Sequence, residues 1–151
     1  MERTLILVKP DAMQRGLAGE ILGRLERRGL KIIGLKLMRI SREVASTHYE
    51  HHADKPFFPG LIEFITSTPV IAAILEGPGA IAAVRQTAGL THPVDPDASP
   101  GGIRADLGLV SGRNLIHASD SAEAAAVEIE RFFTPAEIVP WERDSDRWTF
   151  E

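Results

Sequence analysis

The sequence predicts an α+β fold: a ferredoxin-like βαββαβ order, with a four-stranded antiparallel sheet covered by helices. Three observations carry this. Short continuous apolar runs at residues 5–8 and 70–75 read as strands buried on both faces. Stretches of helical periodicity with capping residues separate the strand segments. No glycine-rich turn follows the first strand, which weighs against a doubly wound parallel sheet. The helices between the second and third strands count as an insertion in this order.

Taken along the chain, residues 5–8 are Leu5-Ile6-Leu7-Val8, bounded by Arg3-Thr4 and Lys9-Pro10. Asp11 and Gln14 have the spacing of a capping box, so a helical turn is expected just after Pro10. Over residues 19–28, Ile21, Leu22 and Leu25 recur at helical spacing opposite Arg24, Glu26, Arg27 and Arg28, and Gly29 supplies a stop. Residues 31–40 read as the second strand. Ser41 caps a short helix through His48; Leu61, Ile62, Phe64 and Ile65 make another that ends before Pro69. Residues 70–75 form the third strand, cut off by Gly77-Pro78-Gly79, and residues 80–88 a helix of small residues. Residues 89–114 are rich in Pro, Gly and Asp without periodicity; a loop this long inside one domain points to function. Residues 115–117 are the last strand, and Asp120 or Ser121 caps a helix to about Phe133. Thr134-Pro135-Ala136-Glu137 is a second capping box, followed by a tail expected to pack on its own or a neighbouring subunit.

Composition narrows the function classes. The 151 residues suit a single domain spanning 1–151. Seventeen basic against 21 acidic residues leave a net charge of −4, which argues against non-specific binding of nucleic acid. The chain has no cysteine, which excludes disulfides, thiolate zinc sites, iron–sulfur clusters and cysteine nucleophiles. The apolar run near the start is too short for a signal segment or a membrane span, so a cytoplasmic protein without a membrane partner is expected. No P-loop, dinucleotide fingerprint or nucleophile-elbow motif occurs. Phosphate chemistry would therefore have to rely on side chains.

Two clusters stand out. His48, His51 and His52 fall on one helical face and make a metal-binding reading available, against the plainer one of a solvated helix end. The stronger cluster is Asn114-Leu115-Ile116-His117-Ala118-Ser119-Asp120-Ser121, where a histidine ends an apolar strand beside a helix start, a position that favours anions. Neutral imidazole accepts a phosphoryl group near neutral pH. A core histidine at a sheet edge is the plainer alternative. Arg85, Arg104 and Arg113 lie in or beside segments that return toward this strand, and arginine clamps phosphate well. Lys9, directly after four apolar residues, must snorkel or meet an anion.

The run Asn114-x-x-His117-Ala118-Ser119-Asp120 resembles the nucleoside diphosphate kinases. The likeness extends over Lys9-Pro10-Asp11, Gln14-Arg15-Gly16-Leu17, His48-Tyr49, residues 55–61 and Arg104-Ala105-Asp106. It implies a ping-pong phosphotransfer between nucleoside triphosphates and diphosphates, with Mg²⁺ carried by the nucleotide phosphates rather than by a protein metal site. His117 would carry the phosphoryl group. Arg85, Thr91 and Arg104 would hold phosphates, Phe57 would stack on the base, and Val110 would pack on its other side. Lys9 and Asn114 would meet the ribose hydroxyls, Lys9 also the transferred phosphate. Tyr49 and Glu128 would orient the histidine, and Ser119 would lie close to the transferred group. A homo-oligomer is implied, a hexamer first and a tetramer next. Ala12, Gly102, Ala105 and Leu107 depart from the family's usual residues, and the loop at residues 95–99 runs slightly longer. The competing readings are a non-catalytic phosphohistidine carrier or nucleotide-binding regulator, and a metal-binding protein.

Overall fold

The computed structural model describes residues 1–150. Its strands are β1 (Glu2–Val8), β2 (Lys31–Met38), β3 (Val70–Gly77) and β4 (Ile116–Ala118). The helices are α1 (Pro10–Gln14), α2 (Ala18–Arg27), α3 (Arg42–His48), α4 (Phe58–Thr66), α5 (Ala80–Ala88), α6 (Ile103–Leu107), α7 (Ala122–Phe132) and α8 (Asp146–Thr149). The sheet runs β2-β3-β1-β4, and every neighbouring pair is antiparallel. This is the expected ferredoxin-like arrangement.

The continuous apolar run in β1 has a simple cause. Leu5 and Leu7 point into a core shared with Ile65 of α4 and Phe132 of α7. Ile6 and Val8 point to the opposite face, against Ile21 and Leu25 of α2 and Val84 of α5. Helices on both faces leave residues 5–8 of the strand without a solvent-facing side. The register pairs His117 of β4 with Leu7, so His117 takes the α7 face while Ile116 and Ala118 enter the other core. Next to a bulge in β2, Gly34 allows a close approach: a Cβ there would sit 3.2 Å from both Ile74 and Phe133.

Several expectations are corrected. Asp11 does not cap α1; Lys9 occupies the cap position without a side-chain capping bond, and the Asp11 carboxylate instead accepts from Leu115 N at 3.0 Å. With Pro10 at the first helical position, one amide that a cap would serve is already absent. Helix α4 starts at Phe58, earlier than periodicity placed it, because Pro59 fits a first turn. Residues 89–114 are not structureless: α6 is anchored by fully buried Ile103, and Ser111–Arg113 form a 3₁₀ turn. Strand β4 begins after Leu115, whose φ of 77° cannot continue a strand. The tail hydrogen-bonds to β2 of its own chain, Val139 N donating to Ile33 O at 2.7 Å and the Trp141 indole to Ile32 O at 2.9 Å.

Candidate active site

His117 sits on β4 with its Nε2 2.5 Å from Glu128 Oε1 of α7. Ser119 Oγ lies 3.1 Å from the same carboxylate oxygen and 3.3 Å from Leu5 O, either of which can take its proton. Burial opposes the charge on Glu128, but hydrogen bonds from His117 and Ser119 and the nearby imidazoles outweigh it and hold the carboxyl below its usual range. A charged Glu128 accepts, so His117 donates through Nε2–H, and in the neutral form of such a ring Nδ1 carries a free lone pair.

Around this histidine opens a cleft of about 880 Å³ whose walls come from Lys9 just after β1, from α3 and the turn after it, and from α4, α5, the 89–114 segment, β4 and α7. Lys9 Nζ donates to Asn114 Oδ1 at 2.5 Å, and Asn114 Nδ2 to Thr91 O at 2.9 Å. Burial pulls the Lys9 ammonium down to about 8; Asp11 opposes this and Arg104 and Arg113 add to it. Arg104 is buried and bound to backbone carbonyls alone: Asn114 O at 3.3 Å, Gly89 O at 3.0 Å and Ile116 O at 2.6 Å. Burial, then Arg85, lowers it to about 10. Arg85 reaches Ala118 O at 3.3 Å. The chain thus concentrates positive charge here and gives it carbonyl dipoles rather than carboxylates, an arrangement suited to an anionic ligand.

Of the residues singled out from sequence, Lys9, Tyr49, Phe57, Arg85, Thr91, Arg104, Asn114, His117 and Glu128 line this cleft together. Phe57 is half-exposed at its edge, with His52 edge-on at 5.2 Å. Two residues fall elsewhere. Ser119 is fully buried behind Glu128, and Val110 is exposed just outside the lining, which resumes at Ser111. The Tyr49 ring packs edge-on against His48 at 4.7 Å, and His48 against His117 at 4.6 Å. Burial, reinforced by the charge of Glu128, raises the Tyr49 hydroxyl.

Arg113, named from sequence beside Arg85 and Arg104, also lines the cleft, and its guanidinium stacks at 4.0 Å on the ring of Phe64, a lining residue to which the sequence assigned no role in the site. The i, i+3 spacing of Leu61 and Phe64 on α4 was the available signal. The histidine cluster is redistributed. His51 and His52 stack on each other at the rim, while His48 is buried beside His117. Among the described residues the trio with metal-ligand spacing is His48, His117 and Glu128, their ligand atoms within 4.8 Å of one another.

The family model for nucleoside diphosphate kinase matches residues 2–138. The chain belongs to the nucleoside diphosphate kinases. It is 57% identical over 148 residues to the nucleoside diphosphate kinase of Thermomicrobium roseum, with 98% of each chain covered. It is 52% identical over 151 residues to that of Archaeoglobus fulgidus, covering 100% of this chain and 99% of the relative. Among solved structures it is similar to a halophilic nucleoside diphosphate kinase from Halobacterium salinarum in complex with CDP, with 51% identity, 99% of each chain covered and a TM-score of 0.95. A nucleoside diphosphate kinase is a phosphotransferase that moves a phosphoryl group between nucleotides, and a cleft of carbonyl-bound cations around a free imidazole nitrogen suits that activity.

Proposed function

We propose that this nucleoside diphosphate kinase works by a ping-pong mechanism through a phosphohistidine on His117. The carrying observation is the His117–Glu128 hydrogen bond, which commits Nε2 and frees Nδ1. In this reading Nδ1 attacks the γ-phosphorus of a nucleoside triphosphate. The N–P bond forms as the bond to the β-phosphate oxygen breaks, and the diphosphate leaves. A second diphosphate then attacks the phosphohistidine through its terminal oxygen and restores the neutral imidazole. Lys9, Arg85 and Arg104 offset the charge on the equatorial oxygens, and Thr91 and Asn114 complete the phosphate and ribose contacts. Phe57 stacks on the base, a contact that every base can make. A bare phosphohistidine carrier would need the histidine but not this set of cations.

Mg²⁺ fits as a passenger on the phosphates. Glu128 is committed to His117 and Ser119, and exposed Asp120 at the cleft margin is no oxygen cage. When bound, the ion neutralises phosphate charge. A homo-oligomer, hexamer or tetramer, is supported by exposed Leu35 and Leu37 on edge strand β2 and by Trp148, 82% exposed. A cytoplasmic location is part of the same reading; among the described residues no helix is long and apolar enough to cross a membrane.

Incubating the protein with γ-labelled ATP tests the reading. Label should enter as an acid-labile, alkali-stable adduct and leave on a chase with unlabelled diphosphate, and His117→Ala should abolish it in a folded chain. Wild-type labelling of that variant would refute it.

A further inference from the structure

We infer that Arg131 is a positioning residue for the phosphotransfer, acting on His117 through a tautomer-locked His48. The inference rests on His117 being the nucleophile, and it explains a buried imidazole that the mechanism does not otherwise use.

His48 ends α3, is 6% exposed, and is packed edge-on by Tyr49, Phe132 and His117 at 4.7, 5.2 and 4.6 Å. The Arg131 guanidinium of α7 lies 2.8 Å from His48 Nδ1. Arginine has donors only, so Nδ1 of His48 must accept, and in the neutral ring the proton then sits on Nε2. The bond fixes the ring plane and tautomer together. This also speaks against a metal on the His48–His117–Glu128 trio, because the one His48 nitrogen left to a metal is protonated and the other is taken by a cation. The groups facing His48 are His117 of β4, Glu128 and Arg131 of α7, and His51 of the turn after α3. Burial pulls His48 down to about 3; His117, Arg131 and His51 add to this, and Glu128 opposes it. A neutral His48 cannot compete with His117 for Glu128 as an imidazolium would, and its fixed ring holds the nucleophile's plane.

Arg131 is half-buried and outside the cleft lining, so it can be replaced without touching substrate. On the full chain without nucleotide, long-range ¹H–¹⁵N spectra should show His48 as a single Nε2–H tautomer across pH 5–8. In Arg131→Met, which lacks the donor and the charge, His48 should lose that fixed tautomer and titrate at higher pH. Its kcat should fall about tenfold with KM nearly unchanged, and the acid limb of the pH–rate profile should move up. Arg131→Lys, which can still donate, should keep most of the rate. Melting curves matching the wild type exclude simple unfolding. An unchanged His48 tautomer, or an unchanged pH profile, in Arg131→Met overturns the inference. Failure of the nucleophile reading shows separately, as surviving label in His117→Ala.

Discussion

Two clefts rich in basic residues are both walled in part by the 89–114 segment and share Arg85 and Thr91. The larger, about 1010 Å³, has Arg24 and Arg28 in its wall. Arg24 donates to Glu20 at 2.9 Å and to Asp106 at 2.6 Å, and Arg28 to Gln86 at 2.7 Å and Thr87 at 3.1 Å. The Gly101 amide and Arg24 together hold Asp106 below the usual carboxylate range. In the smaller cleft, Lys9, Arg85, Arg104 and Arg113 form no ion pair with a carboxylate among the described residues. The difference teaches how this chain uses arginine. A guanidinium whose charge is neutralised in place fastens helix α2 to helix α6. One given only carbonyls keeps a charge that an anionic ligand can meet, and the lowered Lys9 and Arg104 show what burying that charge costs.

The largest effect that sharpens this comparison is at Arg104. Arg104→Met removes a cleft cation and takes the guanidinium donor from the carbonyls of Gly89 and Ile116, while Asn114 O keeps the Ile116 amide at 2.9 Å. The expected loss in kcat/KM is about 10²–10³-fold, with about 1–3 kcal/mol of stability lost for each buried carbonyl left unpaired. Arg104→Lys should recover little, since a point-charge ammonium cannot reach three carbonyls at once. Steady-state kinetics and denaturant melts read both; full activity in the lysine variant would mean that charge alone is needed.

The next effect is a pH dependence. Lys9 is lowered from its ordinary 10.5 to about 8. Below pH 8 it is charged in both the folded and the unfolded chain, and the burial penalty is fully present. Between 8 and 10.5 the unfolded chain binds more protons, so stability rises with pH there while phosphate affinity falls. The kcat/KM of the free enzyme should therefore decline above about pH 8, by up to tenfold per pH unit. Lys9→Arg should push that limb upward. A flat profile to pH 10 would show that Lys9 does not meet the phosphates.

Much of this contrast was legible in the sequence, and the unread part has physical reasons. Caps at Ser41 and Ser121 and the box at Thr134 are local chemistry, and each was found where spacing placed it. The both-faces burial of β1 followed from an unbroken apolar run. Helix α6 escaped notice because its five residues are too few for a period, and its anchor, Ile103, lies among Gly and Pro. The φ of 77° at Leu115 could not be foreseen in a residue that is not glycine; it is held by two long-range bonds, Lys9 N to Leu115 O and Leu115 N to Asp11. Tyr49 stands next to His48 in sequence, but only tertiary packing shows that its ring meets His48 edge-on and that His48 in turn packs on His117.

The smallest predicted effect is the one that could break the comparison. Arg24 sits in the larger groove with its side chain 19% exposed, paired with Glu20 one turn earlier on α2 and with Asp106 on α6. If its charge is spent on those carboxylates, removing it should not be felt by nucleotide. Exposed ion pairs contribute little, so Arg24→Met should lower the melting temperature by no more than about 4 °C and leave kcat/KM within about threefold of wild type. The same substitution also frees the Asp106 carboxylate, which keeps the Gly101 amide at 2.9 Å and so still braces the turn before α6. The residual loss should appear as faster amide exchange in residues 100–107 rather than as a change in rate. A loss of kcat/KM comparable to that of Arg104→Met would mean that the two clefts act as one electrostatic unit through shared Arg85, and that the division between fastening and ligand-holding arginines is false.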